Sequence, residues 1–219
     1  MRKITKVSAV TATFVIFSAS FSTIAYAAPS KSASKIICKK TSAKGHTIKN
    51  ITPPEVKAPF KNRTFTFNTN CGDIVIEADG VKAPVTVIAL AALANGGFYN
   101  QTICHRLTTN NIYVLQCGDP TGTGSGGPNF SYRDENLPQA VEANYPAGVV
   151  AMANSGANTN GSQFFIVYED TSLPPSYTIW GKVTKGLDIV QAIAKEGVVD
   201  GKSDGLPKRA ISIEKVKVR

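Results

Sequence analysis

Arg106 follows His105, Gln116 stands ten residues further on, and a second segment, MANSGANTNGSQFF over residues 152–165, brings Gln163 and Phe165. A guanidinium and two side-chain amides are hydrogen-bonding groups, and none of the three is a nucleophile. Other chemistries fit less well. Ser162 lacks the GxSxG elbow of a hydrolase, and His105 would be the single candidate base beside it. Residues 122–127, GTGSGG, satisfy GxGxxG letter by letter. Pro128 follows, however, where a dinucleotide site needs a helix N-terminus, so this stretch reads as a surface turn lining a groove. With no CxxC or HxxH spacing among four cysteines and two histidines, neither a metal nor a cofactor is expected.

The elements that must position these residues are mostly short strands. Phe65 and Phe67 alternate with threonines in RTFTFNT, and Ile74 and Ile76 alternate in DIVIEA, as half-buried strands do. Asn70-Cys71-Gly72 would close a hairpin between them. Pro84 opens an Ala-rich run that ends in Asn95-Gly96-Gly97, which predicts one helix. Strands are predicted over 102–107 and 112–117, then in AGVVAM, QFFIVY and TIWGKV. A second helix over about 186–195 shows Leu187, Val190, Ile193 and Ala194 on one face. At the end of the chain the alternation of Ile211 and Ile213 shifts to Val216 and Val218, which predicts a bulge. Many short strands with two isolated helices predict an all-β-dominated fold, an antiparallel barrel with a helix over each opening. On strand QFFIVY, Gln163 and Phe165 share a face and present one polar and one aromatic group to a common groove.

TICHRLTTNNIYVLQCGD and MANSGANTNGSQFF, in this order and spacing, resemble the two signature blocks of the cyclophilin peptidyl-prolyl isomerases. The resemblance runs from about residue 64 to the C-terminus, and the wording HRLTT and LPPSYTIWGKV is similar to exported actinobacterial members. It implies a closed eight-stranded antiparallel β-barrel capped by two helices, with a substrate groove on its outer surface. It implies cofactor-independent isomerisation of Xaa-Pro bonds, with Arg106, Gln116 and Gln163 as the catalytic set. Tyr113, Val114, Ala153, Asn154, Phe165 and Leu173 match the substrate-lining positions. Asn154 is expected to offer its backbone to an extended peptide, whereas Asn158, Asn160 and Ser162 are read as bracing the loop. Departures are Cys104 before His-Arg, Ser172 in place of a pocket tryptophan, Tyr177 in place of a histidine, and a turn two residues longer before Tyr113. The rival reading is a barrel that holds proline-containing segments without turnover.

Arg2, Lys3 and Lys6 precede an apolar stretch to about Ile24, and Ala25-Tyr26-Ala27 suits cleavage after Ala27, so residues 1–27 read as a signal peptide. The alternative is an uncleaved membrane anchor. Residues 28–61 are rich in Lys, Ser, Thr and Pro and read as a basic flexible extension before an isomerase domain over 62–219. The formal charge of +9 is concentrated before residue 64, since residues 64–219 hold twelve basic and fourteen acidic groups. No nucleic-acid groove is therefore expected on the folded part, although the extension would suit contact with an anionic cell surface. The expected partners are proline-containing polypeptides met by a monomer. Four cysteines in an exported chain permit two disulfides. Cys104 with Cys117 is favoured because a brief turn would bring their short apolar segments side by side, leaving Cys38 for Cys71.

Overall fold

The computed structural model describes residues 36–219. The expected leader over 1–27, with its cleavage or its retention as an anchor, lies outside them. Among the described residues no helix is long and apolar enough to cross a membrane. Phe65 and Phe67 point inward from β1 (Arg63–Thr69), and Ile74 and Ile76 do so from β2 (Gly72–Ala78). The chain continues through α1 (Pro84–Asn95), β3 (Thr102–Ile103), β4 (Arg106–Thr108), β5 (Val114–Cys117), β6 (Val149–Met152) and β7 (Phe164–Val167). It ends with β8 (Ile179–Lys185), α2 (Leu187–Glu196), β9 (Asp204–Gly205) and β10 (Ser212–Val218). The inward side chains meet around Trp180, which is fully buried, with Phe65 at 5.5 Å and Phe164 at 5.8 Å between ring centroids in edge-on contact.

The sheet corrects the expected closed, eight-stranded barrel. It has ten antiparallel strands in the order β3-β10-β1-β2-β8-β6-β7-β5-β4-β9, an open half-barrel with two helices. The reason lies at Cys104-His105, which breaks the single strand predicted over 102–107. The half before the break pairs with β10, Ile103 opposite Ser212, and the half after it pairs with β5 and β9. One short stretch of chain therefore links the two end regions of the ladder covalently, with no hydrogen-bonded strand pair closing them. In β10, as expected, the register shifts: Asn68 faces Lys215 and Thr69 faces Ile213, so Glu214 is the extra residue of a bulge.

Both helices pack on this wall. Helix α1 has Pro84 in its first turn and no side-chain cap of its own. The carboxylate of Glu135 accepts the N–H groups of Val85 and Thr86 at 3.2 and 2.9 Å instead, satisfying amides at the positive end of the helix. At the other end Gly97, with φ of 69°, lets Phe98 N–H reach Leu93 O and its own N–H reach Ala94 O, which terminates the helix. Helix α2 buries Ile189, Val190 and Ile193.

Residues 36–61 contain no helix or strand, yet they lie against the barrel, unlike the flexible extension expected from their composition. Cys38 is bonded to Cys71, Lys39 N–H donates to Asn70 O at 2.8 Å, and His46 N–H donates to Pro120 O at 2.9 Å. Ile36 and Ile51 pack on the core, and Thr41 reaches Glu214 and Ser212. The expected Cys38–Cys71 bridge is one of these attachments, whereas the main-chain bonds leave no periodic apolar pattern by which composition could disclose them.

Candidate active site

Strands β4, β5 and β7 place the polar residues. Arg106 is directly opposite Gln116, and Gln116 is opposite Phe165, so these side chains stand on one outward face. Arg106 Nη1 donates to Gln116 Oε1 at 3.1 Å, and Gln116 Nε2 donates to Gln163 Oε1 at 2.8 Å. Gln163 Nε2 donates to the carbonyls of Gly124 and Gly126, both at 2.9 Å. The direction of this relay is physically determined. Carbonyl oxygens only accept, so the NH₂ end of Gln163 must face the glycines. Its oxygen then faces Gln116, and the Gln116 oxygen faces the guanidinium. Both N–H groups of Gln163 are thereby engaged, so in this arrangement it bears on Arg106 through Gln116.

No motif or period marks the fourth partner. Asp204, on the two-residue strand β9, accepts from Arg106 Nε at 2.8 Å and Nη2 at 2.7 Å. The hydrogen bond from Arg106 holds the Asp204 carboxyl below its ordinary pKa. A guanidinium has five N–H groups, and these three contacts leave two of them without a partner among the described residues.

Beside Arg106 and Gln116 lies a cavity of about 250 Å³, walled by Ile112, Val114, Phe165, Leu173 and Tyr177, with Ala153 and Asn154 at its rim. Val114 and Phe165 are buried, and Tyr177 meets Phe165 edge-on at 5.5 Å. Tyr113 corrects another expectation, since it is absent from this wall and meets Tyr168 edge-on at 5.9 Å elsewhere. Alternation explains it: Ile112, Val114 and Gln116 share a face, and Tyr113 takes the other. The same period of two could have found Ile112. Ser172, at the expected tryptophan position, accepts Ala143 N–H at 2.9 Å.

The segment 152–165 divides as its composition suggests. Asn160 Nδ2 donates to Asp134 Oδ1 at 2.8 Å, Asn158 and Asp134 exchange backbone-to-side-chain bonds, and Ser162 Oγ donates to Gly118 O at 2.7 Å. Asn154 Nδ2 donates to Ser176 O, while its own backbone N–H and C=O have no partner among the described residues. Those two groups stay available to an extended chain. The glycine stretch is neither followed by a helix nor loose. Asp119 accepts from Thr121 N and Oγ1 at 2.7 Å, from Gly124 N at 2.6 Å and from Gly126 N at 3.1 Å. A Cβ on Gly126 would lie 2.0 Å from Asp119 Oδ1, so only glycine fits. Burial alone would raise the pKa of Asp119, but the bonds from Thr121, Gly126 and Gly124 outweigh it and hold the carboxyl below its ordinary value. The second disulfide, Cys104–Cys117, joins the β3–β4 junction to β5, beside both Arg106 and Gln116.

Comparison with known proteins converges on one family. The sequence model described as cyclophilin type peptidyl-prolyl cis-trans isomerase/CLD matches residues 64–218. The chain is 40% identical over 195 residues to the probable peptidyl-prolyl cis-trans isomerase B of Mycobacterium leprae, covering 83% of this chain and 66% of that protein. Against its counterpart in Mycobacterium tuberculosis the identity is 44% over 159 residues, covering 68% and 52%. The matches thus span between about half and two thirds of the length of these relatives. The crystal structure of a Cryptosporidium parvum cyclophilin type peptidyl-prolyl cis-trans isomerase superposes with a TM-score of 0.61 at 30% identity, covering 73% of this chain and 98% of that one. That protein has also been solved in the presence of the dipeptide Ala-Pro. A match over residues 64–218, together with relatives of this identity, places the chain in the cyclophilin-type peptidyl-prolyl cis-trans isomerase family.

Proposed function

We propose that this chain catalyses the cis–trans isomerisation of Xaa-Pro bonds in polypeptides, with Arg106 as the catalytic group and Gln116 and Gln163 as its positioning residues. One observation carries the reading: a guanidinium held by both neighbouring strands, with two N–H groups unengaged, borders an apolar cavity of about 250 Å³. The barrier to rotation, about 18–20 kcal/mol, comes from amide resonance. As the bond twists, the prolyl nitrogen loses conjugation and gains a lone pair that accepts a hydrogen bond, which the planar ground state cannot do. A donor fixed beside it therefore stabilises the twisted state selectively. Ile112, Val114, Phe165, Leu173 and Tyr177 hold the proline ring by contact. The Asn154 backbone takes the extended peptide, and the carbonyl side rotates. This rotation breaks and forms no covalent bond, so it requires no cofactor. The Ala-Pro dipeptide used with the Cryptosporidium protein is of the same substrate class.

The natural substrates in this reading are exported proteins whose folding waits on proline. Two disulfides fit an oxidising compartment outside the cytoplasm. The test is exchange of an Xaa-Pro peptide, followed by NMR without a coupled protease. The parent should accelerate it without added metal. Arg106→Ala should lose on the order of a hundredfold or more in kcat, corresponding to about 2.7–4 kcal/mol for one preorganised donor, and should keep most of its peptide affinity. An inactive parent, or a fully active alanine variant, overturns the reading.

A further inference from the structure

We propose that Asp204 is a positioning residue for Arg106, aiming the guanidinium so that its two unengaged N–H groups meet the twisting amide. The inference rests on the isomerase reading above and adds to it a residue on a separate segment, 98 positions away from Arg106. Its geometry is that of a fork: Nε to Oδ1 at 2.8 Å and Nη2 to Oδ2 at 2.7 Å, two nearly equal bonds from one carboxylate to one side of the guanidinium. A single bond leaves a guanidinium free to swing. Two parallel bonds fix both its plane and its rotation about the Nε–Cζ axis. Gln116 then holds the third N–H from the neighbouring strand, so the group is braced from both sides of β4.

The ladder explains how so short an element can hold a side chain in place. Thr108 is opposite Asp204 and Leu107 opposite Gly205, which makes Asp204 the diagonal neighbour of Arg106 on the same face. The loop that carries Asp204 is fastened along its length: Val199 N–H donates to Leu206 O at 2.9 Å, Thr109 N–H to Ser203 O at 2.8 Å, and Lys208 N–H to Gly197 O at 2.9 Å. As a surface ion pair the contact would add little stability, because the side chains of Arg106 and Asp204 are 41% and 52% exposed. Orientation is what a bidentate pair supplies even where its energy is small. The competing effect is electrostatic, since a carboxylate damps the positive charge that acts on the substrate. The two effects predict opposite results when the charge is removed while the shape is kept.

The experiment compares Asp204→Ala and Asp204→Asn with the parent in three readouts: kcat and KM for peptide exchange, thermal stability, and the NMR signal of the Arg106 Nε–H. If Asp204 positions Arg106, the alanine variant loses about tenfold or more in kcat with KM within about twofold, and its Nε–H signal broadens or exchanges faster. The asparagine variant, which keeps one acceptor, recovers a large part of kcat. Higher kcat in the asparagine variant would mean that charge damping dominates, and overturns the proposal. Unchanged kcat in both variants overturns it too, and a lower melting temperature with normal kcat assigns Asp204 to the loop alone. A parent that does not accelerate exchange would instead defeat the isomerase reading. The Nε–H signal would still report whether Asp204 holds the guanidinium.

Discussion

The two sides of the candidate site are built by different physics. On the polar side, Asp204, Arg106, Gln116, Gln163 and the glycine stretch are joined by directed hydrogen bonds, each of which determines the orientation of the next. On the apolar side, Ile112, Val114, Phe165, Leu173 and Tyr177 are held by burial and ring contacts, which have no direction to propagate. A directed chain fails as a unit when one member is removed, because every partner behind it loses its reference. A contact surface loses affinity in proportion to the area deleted. The polar side should therefore govern turnover and the apolar side substrate affinity.

The strongest challenge to this division is removal of the bridge beside the polar residues. Cys104→Ser with Cys117→Ser should cost about 3 kcal/mol of stability, as expected for opening a short loop. It should also lower kcat more than it raises KM, because the bridge joins the segments bearing Arg106 and Gln116. Denaturant midpoints and peptide-exchange kinetics read the two effects, and a stability loss with unchanged kcat would detach the polar side from its disulfide.

A somewhat smaller effect is expected at Asp119. Asp119→Asn should destabilise by about 2 kcal/mol, the scale of hydrogen bonds to a charged group. The pH dependence has a definite sign. The folded-state carboxyl titrates below its ordinary value of 3.8, so its contribution is present above that pH and is lost as pH falls through the lower folded value. The single tryptophan, Trp180, lies buried in the core and reports acid unfolding by fluorescence. The parent should show this acid-dependent loss, and the asparagine variant should show less of it. Identical acid profiles would mean that the glycine stretch does not depend on the Asp119 charge.

The smallest effect sharpens the comparison most directly. Ile112→Ala should raise KM roughly fivefold to tenfold, about 1–1.4 kcal/mol of lost contact, with kcat little changed. Tyr113→Ala should leave KM within about twofold and lower the melting temperature through lost packing on Tyr168. The reverse pattern would put Tyr113, and not Ile112, against the substrate.

Much of this arrangement can be read from residue types and period. Pro84 and the Gly96-Gly97 pair delimit α1, and alternation puts Gln163 and Phe165 on one face. What escapes such reading depends on distance along the chain or on geometry that period cannot express. Asp204 stands on a strand of two residues, too short for any pattern, and meets Arg106 only because β9 pairs with β4. Glu135 caps a helix that begins about fifty residues earlier. The family position of Tyr113 implies a place in the cavity wall, whereas its alternation with Ile112 and Val114 turns it away. The open ladder follows from a break at Cys104-His105 that nothing in the local apolar pattern marks.

The junction at Cys104-His105 also bears on the order in which the molecule can assemble. The strands that carry Arg106 and Gln116 are close in sequence and can pair as soon as both exist, whereas β3 and β1 must both wait for β10. During synthesis the hairpin of β4 and β5 can therefore form while β1 still has one unpaired edge. Pairings of such long sequence separation are slow and leave strand edges exposed to other chains. A fold built this way stays vulnerable until β10 arrives.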